Sequence, residues 1–249
     1  MNWFKTDDIR IQDIEPLISP AILIKDYPAT TEIAKMVATT RKNAENIISG
    51  HDDRVCGYAA LRALLDIETP DKTAVCVLAD KEEIGSMGVT GMQSAAFDAF
   101  MSDLCDGQNV PLKACFENAF CLSADVTAAY DPNFADVYEK KNAAFVNYGV
   151  GICKYTGARG KSGSSDANAE TVAYVRAVLD GAGVRWQICE LGKVDAGGGG
   201  TVAMYMANRN ITTLDAGVPV LAMHAPFEVV SKLDCYETYK GMKAVYEAE

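Results

Sequence analysis

The stretch Val75 to Ser86, VCVLADKEEIGS, sets an apolar run directly before Asp80, Glu82 and Glu83. A β-branched run without a 3.6-residue period reads as a strand, over about Ala74 to Ala79, buried on both faces of a mostly parallel sheet. Open α/β sheets hold ligands at the carboxyl ends of such strands, so the two glutamates stand where chemistry is done. A Glu-Glu pair can divide the work, one side chain binding a metal while its neighbour takes a proton from water. Three more places carry similar groups at segment ends: Asp52 with Asp53, Asp125, and His224. Each alone fits a turn, a helix cap or a satisfied core group, and the glutamates alone fit a solvated loop. Gathered at one sheet edge they suit two metals bridged by a carboxylate, because zinc, cobalt and manganese accept both carboxylate oxygen and imidazole nitrogen.

The rest of the composition narrows the choice. A chain of 249 residues, 49% of them hydrophobic, is long enough for one principal domain. Its formal charge of -11 and pI near 4.7 disfavour nucleic acid and anionic membrane surfaces as partners. No apolar run approaches the roughly 18 residues that span a bilayer, and MNWFKTDDIR has no signal-peptide core, so a cytoplasmic protein is expected. The eight cysteines form no C-x-x-C pair and mostly sit in apolar segments such as AVCVLA, which points to buried free thiols. With only two histidines, His51 and His224, a metal site must rest mainly on carboxylates.

The elements that must position these groups can be read in order. Residues 1 to about 28, with Pro16, Pro20 and Pro28, hold at most a strand or two, including AILI; a helix is expected from Thr30 or Thr31 to Ile48. HDDRVCGYAALRALLDI reads as a carboxylate loop feeding a helix from about Arg54 to Leu65. After the VCVLA strand, QSAAFDAFMSDLCDG is helical, and NAFCLSADV is a strand ending at Asp125. A strand over Phe145 to Tyr155 is followed by TGARGKSGSSDAN, expected to be a surface loop. Glu170 to Leu179 is a helix, Arg185 to Leu191 a strand, and the four glycines from Gly197 precede a helical run where the backbone can approach an oxygen closely. Strands Ile211 to Asp215 and Val218 to Met223, the second delivering His224, and a helix from Phe227 or Val230 to Ala248 close the chain. Alternating strands and helices predict a three-layer α/β/α sandwich with a mixed, mostly parallel central sheet.

The runs HDDRVCGY, DKEEIGSMGVTGMQS, SADVTAAYDPN, GKVDAGGGGT and MHAPFEV, in this order and spacing, resemble the aminopeptidase I (aspartyl aminopeptidase) family of dinuclear zinc metallopeptidases. The match covers roughly residues 50 to 245. The resemblance implies a metal-dependent aminopeptidase that releases N-terminal amino acids from peptides through a metal-bridging water activated by Glu82. Asp52 then corresponds to the carboxylate bridging two Zn2+ ions, with Co2+ or Mn2+ as alternatives, and Asp53 orients it or caps the next helix. Glu83 and His224 correspond to ligands of one metal and Asp125 to a ligand of the other. Lys193, Gly197, Gly198 and Gly199 would border the substrate pocket, with Arg159 and Lys161 adding positive charge. Peptide substrates and a homo-oligomeric assembly are the partners the resemblance implies.

The family pattern also has a leading segment with a His-x-Asp motif and a dimerisation domain inserted before HDDR. Only about fifty residues precede that motif here, so the expected fold lacks those N-terminal strands and the inserted domain. The expected domains are residues 1–49, of no assigned role, and 50–249, a partial catalytic domain. One metal is offered Asp52, Glu83 and His224; the other is offered Asp52 and Asp125, and His51, which adjoins the bridging aspartate, would point elsewhere. A second function class follows from that difference, namely a catalytically impaired homologue that binds, assembles, or needs a complementary chain.

Overall fold

The computed structural model describes residues 21–24, 51–159, 162–193 and 195–248. The helix expected between Thr30 and Ile48 lies outside these residues, as does Lys161. Six helices and eleven strands are described: β1 (Ala21–Ile24), α1 (His51–Leu65), β2 (Val75–Leu78), α2 (Ala96–Gly107), α3 (Leu112–Glu117), β3 (Phe120–Ser123), β4 (Thr127–Ala128), β5 (Val150–Cys153), β6 (Tyr155–Ala158), β7 (Ser162–Asp166), α4 (Ala169–Gly181), β8 (Trp186–Ile188), α5 (Ala203–Ala207), β9 (Thr212–Gly217), β10 (Pro219–Leu221), β11 (Val229–Val230) and α6 (Lys232–Glu247).

The middle layer is a mixed sheet in the order β3-β9-β5-β8. β3 runs parallel to β9 and β5 parallel to β8, while β5 and β9 are antiparallel. Side chains alternate across a strand, so each strand feeds both outer layers. On one face Phe120 and Leu122 of β3 and Leu214 and Ala216 of β9 pack with Val175 and Leu179 of α4. Beside them Val55, Cys56, Ala59 and Ala63 of α1 meet Cys235 and Met242 of α6. On the other face Cys121 of β3 joins Phe97 of α2, Phe116 of α3 and Met206 of α5. The three layers predicted from the alternation of strands and helices are therefore present, with α1, α4 and α6 on one side and α2, α3 and α5 on the other.

Short polar signals fix the helix starts. Asn168 caps α4 by accepting from Thr171 N–H at 2.7 Å, and Ser231 caps α6 by accepting from Leu233 N–H at 3.2 Å. Helix α1 is reached through two non-helical residues, Asp52 (φ -83, ψ 107) and Asp53 (φ -119, ψ 42), so regular helix begins near Arg54, as the sequence indicated.

Three expectations need correction. Strand β2 pairs antiparallel with β1, Ala21 opposite Leu78 and Ile24 opposite Val75, and among the described residues it joins no parallel ladder. It still lies between both helical layers, since Val75 and Val77 face α2, α3 and α5 while Cys76 is buried beside Tyr246 of α6. An apolar strand sandwiched in this way has the same sequence signature whichever direction its neighbour runs. The stretch expected as a surface loop after Tyr155 forms the hairpin β6–β7, because its small polar residues can pair as well as turn. The helix after the glycines is only Ala203–Ala207, and the glycines themselves pack on that hairpin. No helix among the described residues is long and apolar enough to cross a membrane.

The end of β9 packs so closely against the main chain after β3 that a Cβ at Gly217 would lie 1.7 Å from the Asp125 carbonyl oxygen. Gly217→Ala should therefore cost about 3 kcal/mol or unfold the protein, as read by urea denaturation. Gly181→Ala, at an open position at the end of α4, should stay within about 1 kcal/mol of the parent.

Candidate metal centre

Four chain segments bring their acids and one imidazole to a common place. The first metal-type set is Asp52, Glu83 and His224, whose ligand atoms lie within 4.8 Å of one another. His224 Nε2 is 2.9 Å from Asp52 Oδ2 and 3.4 Å from Glu83 Oε2. Asp52 sits in the non-helical lead into α1, and His224 follows β10 in left-handed backbone at φ 64. Glu83 lies in the short 3-10 turn Glu82–Ile84, bracketed by left-handed Lys81 (φ 66) and Gly85 (φ 81). That turn is held from both sides. Ser86 N–H donates to Lys81 O at 2.7 Å, and Gln93 Nε2 and Tyr205 Oη both donate to Gly85 O, at 2.6 and 3.2 Å. Upstream, Asp80 accepts from Thr90 Oγ1 at 2.6 Å.

The second set, Asp52, Asp53 and Asp125, is made of carboxylates alone, again with ligand atoms within 4.8 Å of one another. His51, which is buried, belongs to neither set. Burial lowers its pKa, with the nearby Glu228 charge acting in the opposite sense.

The electrostatics of the cluster are those of acids crowded together out of water. Burial raises Asp52 to about 6, helped by the Glu83 charge, while His224 pulls the other way. Asp53 is pushed well above the carboxylate range by burial, although the Cys56 thiol and the Val126 N–H lie against it and favour its charge. Asp125 is pushed well up by burial and by Asp53 and Asp215, and Glu82 is raised by burial and by Glu83 and Asp52. A buried side-chain oxygen, Asp53 Oδ1, has no hydrogen-bond partner. Both features are relieved by a divalent cation, which favours the charged form of every surrounding carboxylate. An imidazole with two carboxylates is a donor set that fits zinc; the all-carboxylate set fits an oxygen-accepting ion such as zinc or manganese.

Two acids in this region escaped the sequence reading. Asp215, in the middle of β9, is buried and is raised to about 7 by burial, with Ser123 and Thr201 favouring its charge and Glu82 opposing it. An acid inside the apolar run ITTLDAGVPV was a signal available in the sequence. Glu228 is 2% exposed and accepts hydrogen bonds from three backbone N–H groups, those of His51, Asp52 and His224. Nothing in MHAPFEV marks it off from an ordinary loop acid.

Lys193 and Gly197–Gly199 form a tight loop of their own. Gly197 N–H donates to Lys193 O at 2.7 Å, and the run then pairs with β6 through Gly157 N–H to Gly199 O and Arg159 N–H to Gly197 O, both at 2.8 Å. A Cβ at Gly198 would stand 1.9 Å from Gly157 O, which is the close approach that requires glycine here. The run reaches the acid cluster at Thr201, beside Asp215.

A family model described as aminopeptidase I zinc metalloprotease (M18) matches residues 34–246. A probable M18 family aminopeptidase 1 of Clostridium acetobutylicum is 47% identical over 199 residues, covering 78% of this chain and 43% of that protein. The crystal structure of an M18-family aminopeptidase from Thermotoga maritima superposes with a TM-score of 0.76 at 44% identity, covering 79% of this chain and 45% of that one. A Saccharomyces cerevisiae structure described as a dodecamer shares the fold at 24% identity, with a TM-score of 0.68, covering 80% of this chain and 45% of its own. The chain thus spans less than half the length of the relatives it matches.

The raised carboxyls have a measurable consequence. Asp52 and Asp215 titrate near 6 and 7 in the folded chain against an ordinary 3.8. Between those values the folded metal-free protein holds more protons than the unfolded chain. The stability that these two groups contribute is therefore fully present below about pH 4 and is lost as pH rises through about 7. Metal-free protein should melt several degrees higher at pH 5 than at pH 8 by calorimetry, and Asp215→Asn should flatten that slope.

Proposed function

Because the chain belongs to the aminopeptidase I (M18) family of zinc metalloproteases, we propose that it carries the catalytic centre of an aminopeptidase that releases N-terminal amino acids from peptides. The observation that supports this most strongly is the meeting of Asp52, Glu83 and His224 at distances short enough for one ion, with Glu82 on the same turn as Glu83. Asp52, Glu83 and His224 would hold one Zn2+, and Asp52 with Asp125 a second, Asp52 being common to both. Bound there, zinc supplies Lewis acidity to the scissile carbonyl and to the attacking water.

Glu82 is the base in this reading. Its carboxyl is half-buried beside Glu83 and Asp52, which raises its pKa and suits it to hold a proton between steps. It takes a proton from the attacking water and returns it to the departing amine. The loop of Lys193 and Gly197–Gly199, joined to the cluster through Thr201, would border the peptide, with exposed Arg159 on the adjoining hairpin adding positive charge. The active form would be a homo-oligomer, and residues 50–249 would act as the catalytic domain.

A second reading has one observation in its favour: the Asp52, Asp53 and Asp125 set contains no imidazole among the described residues. On that reading the chain binds or assembles, or works only with a complementary chain. Metal analysis of the purified protein beside hydrolysis of aminoacyl nitroanilides separates the two. Two metals per chain with turnover supports the enzyme, while one or no metal and no turnover supports the second reading. Glu82→Gln should keep its metal and lose roughly 10²- to 10⁴-fold in kcat; an active variant would remove Glu82 from the role of base.

A further inference from the structure

Glu228 follows His224 by four positions, and its two carboxylate oxygens serve different loops. Oε1 accepts from the His224 N–H at 2.8 Å. Oε2 accepts from the His51 N–H at 2.6 Å and from the Asp52 N–H at 3.2 Å. One buried side chain thus joins the lead into α1, which carries Asp52, to the loop after β10, which carries His224. The side chains of those two residues meet at 2.9 Å.

The loop after β10 needs such a restraint. Ala222 and His224 both hold positive φ, 57 and 64, a region that residues with a Cβ adopt rarely, and within the loop the Ala225 N–H donates to Ala222 O. The charge of Glu228 adds to the repulsion felt by Asp52. A carboxylate nevertheless offers what no neutral side chain of that length does, two equivalent acceptors facing N–H donors on opposite sides. A glutamine would turn an NH2 toward one of them.

Resting on the metallopeptidase reading of this centre, we infer that Glu228 is a positioning residue that fixes the Asp52–His224 spacing through main-chain hydrogen bonds and thereby sets metal affinity. It acts on the metal through the ligands it holds, as partners behind metal ligands do.

The test is zinc affinity by chelator competition for the parent, Glu228→Gln and Glu228→Asp, with amide hydrogen exchange on the metal-free proteins. The expected result for Glu228→Gln is zinc affinity lower by roughly 10- to 100-fold. With it, the amides of His224 or of His51 and Asp52 should exchange about tenfold faster, while that of Ile152 in β5 is unchanged. A role confined to stability would lower the melting temperature and leave the zinc affinity of the folded protein at the parent value, which would overturn the inference. Should Glu228→Gln not fold, Glu228→Asp decides: it keeps the charge but withdraws the oxygens by one methylene, and parent-like zinc affinity in it overturns the inference. A parent protein that binds no zinc removes the metallopeptidase reading itself, whereas a parent that binds and variants that match it remove only the role of Glu228.

Discussion

Mutual repulsion among buried carboxyls is the constraint from which the rest of this structure follows. Asp52, Asp53, Asp125, Glu82 and Asp215 all have pKa values raised by burial, and most are raised further by one another. Charged groups kept from water cost several kcal/mol each unless a counter-charge is close. Without one, such acids hold their protons; a divalent cation among them would favour their charged forms. His224, with Nε2 2.9 Å from Asp52, is the one side chain of either donor set that is not an acid.

The fold concentrates these acids because several strands end at one place. β2 hands over to the Glu82–Glu83 turn, β3 runs out toward Asp125, and β10 releases the loop that carries His224. Close packing holds these ends together, most tightly where Gly217 of β9 lies against the Asp125 carbonyl. Polar contacts then set the angles: Gln93 and Tyr205 on the Gly85 carbonyl, and Glu228 on the backbone of the Asp52 and His224 segments. The Tyr205 contact comes from α5, directly after the glycine-rich run, so the loop proposed to border the peptide and the turn that bears Glu82 are mechanically joined.

Much of this was legible in the residues. The apolar run before Glu82, the polar lead into α1 and the helix over Glu170 to Leu179 are local signals, and the structure has each in its expected place. Strand direction was not legible for β2, because an apolar strand between two helical layers reads alike with a parallel or an antiparallel partner. The β6–β7 hairpin was hidden by its own composition, since Gly and Ser serve turns as readily as paired strands. Glu228 was hidden for a different reason: its role lies in reaching the backbone of His51 and Asp52, 177 and 176 positions away, and no local pattern encodes a contact of that range. Asp215 did leave a trace, as an acid inside an apolar strand.

The most direct test of the centre as a metal site is the proton count on zinc binding, measured by titration calorimetry at pH 6.5 in buffers of different ionisation enthalpy. With Asp52 titrating near 6, Asp215 near 7 and Asp125 higher than the ordinary range, the metal-free cluster holds protons at that pH. Zinc must displace them, so binding should be tight, with net proton release that shrinks as pH rises toward 8. Zinc binding with no release at pH 6.5, or no zinc binding at all, would contradict it.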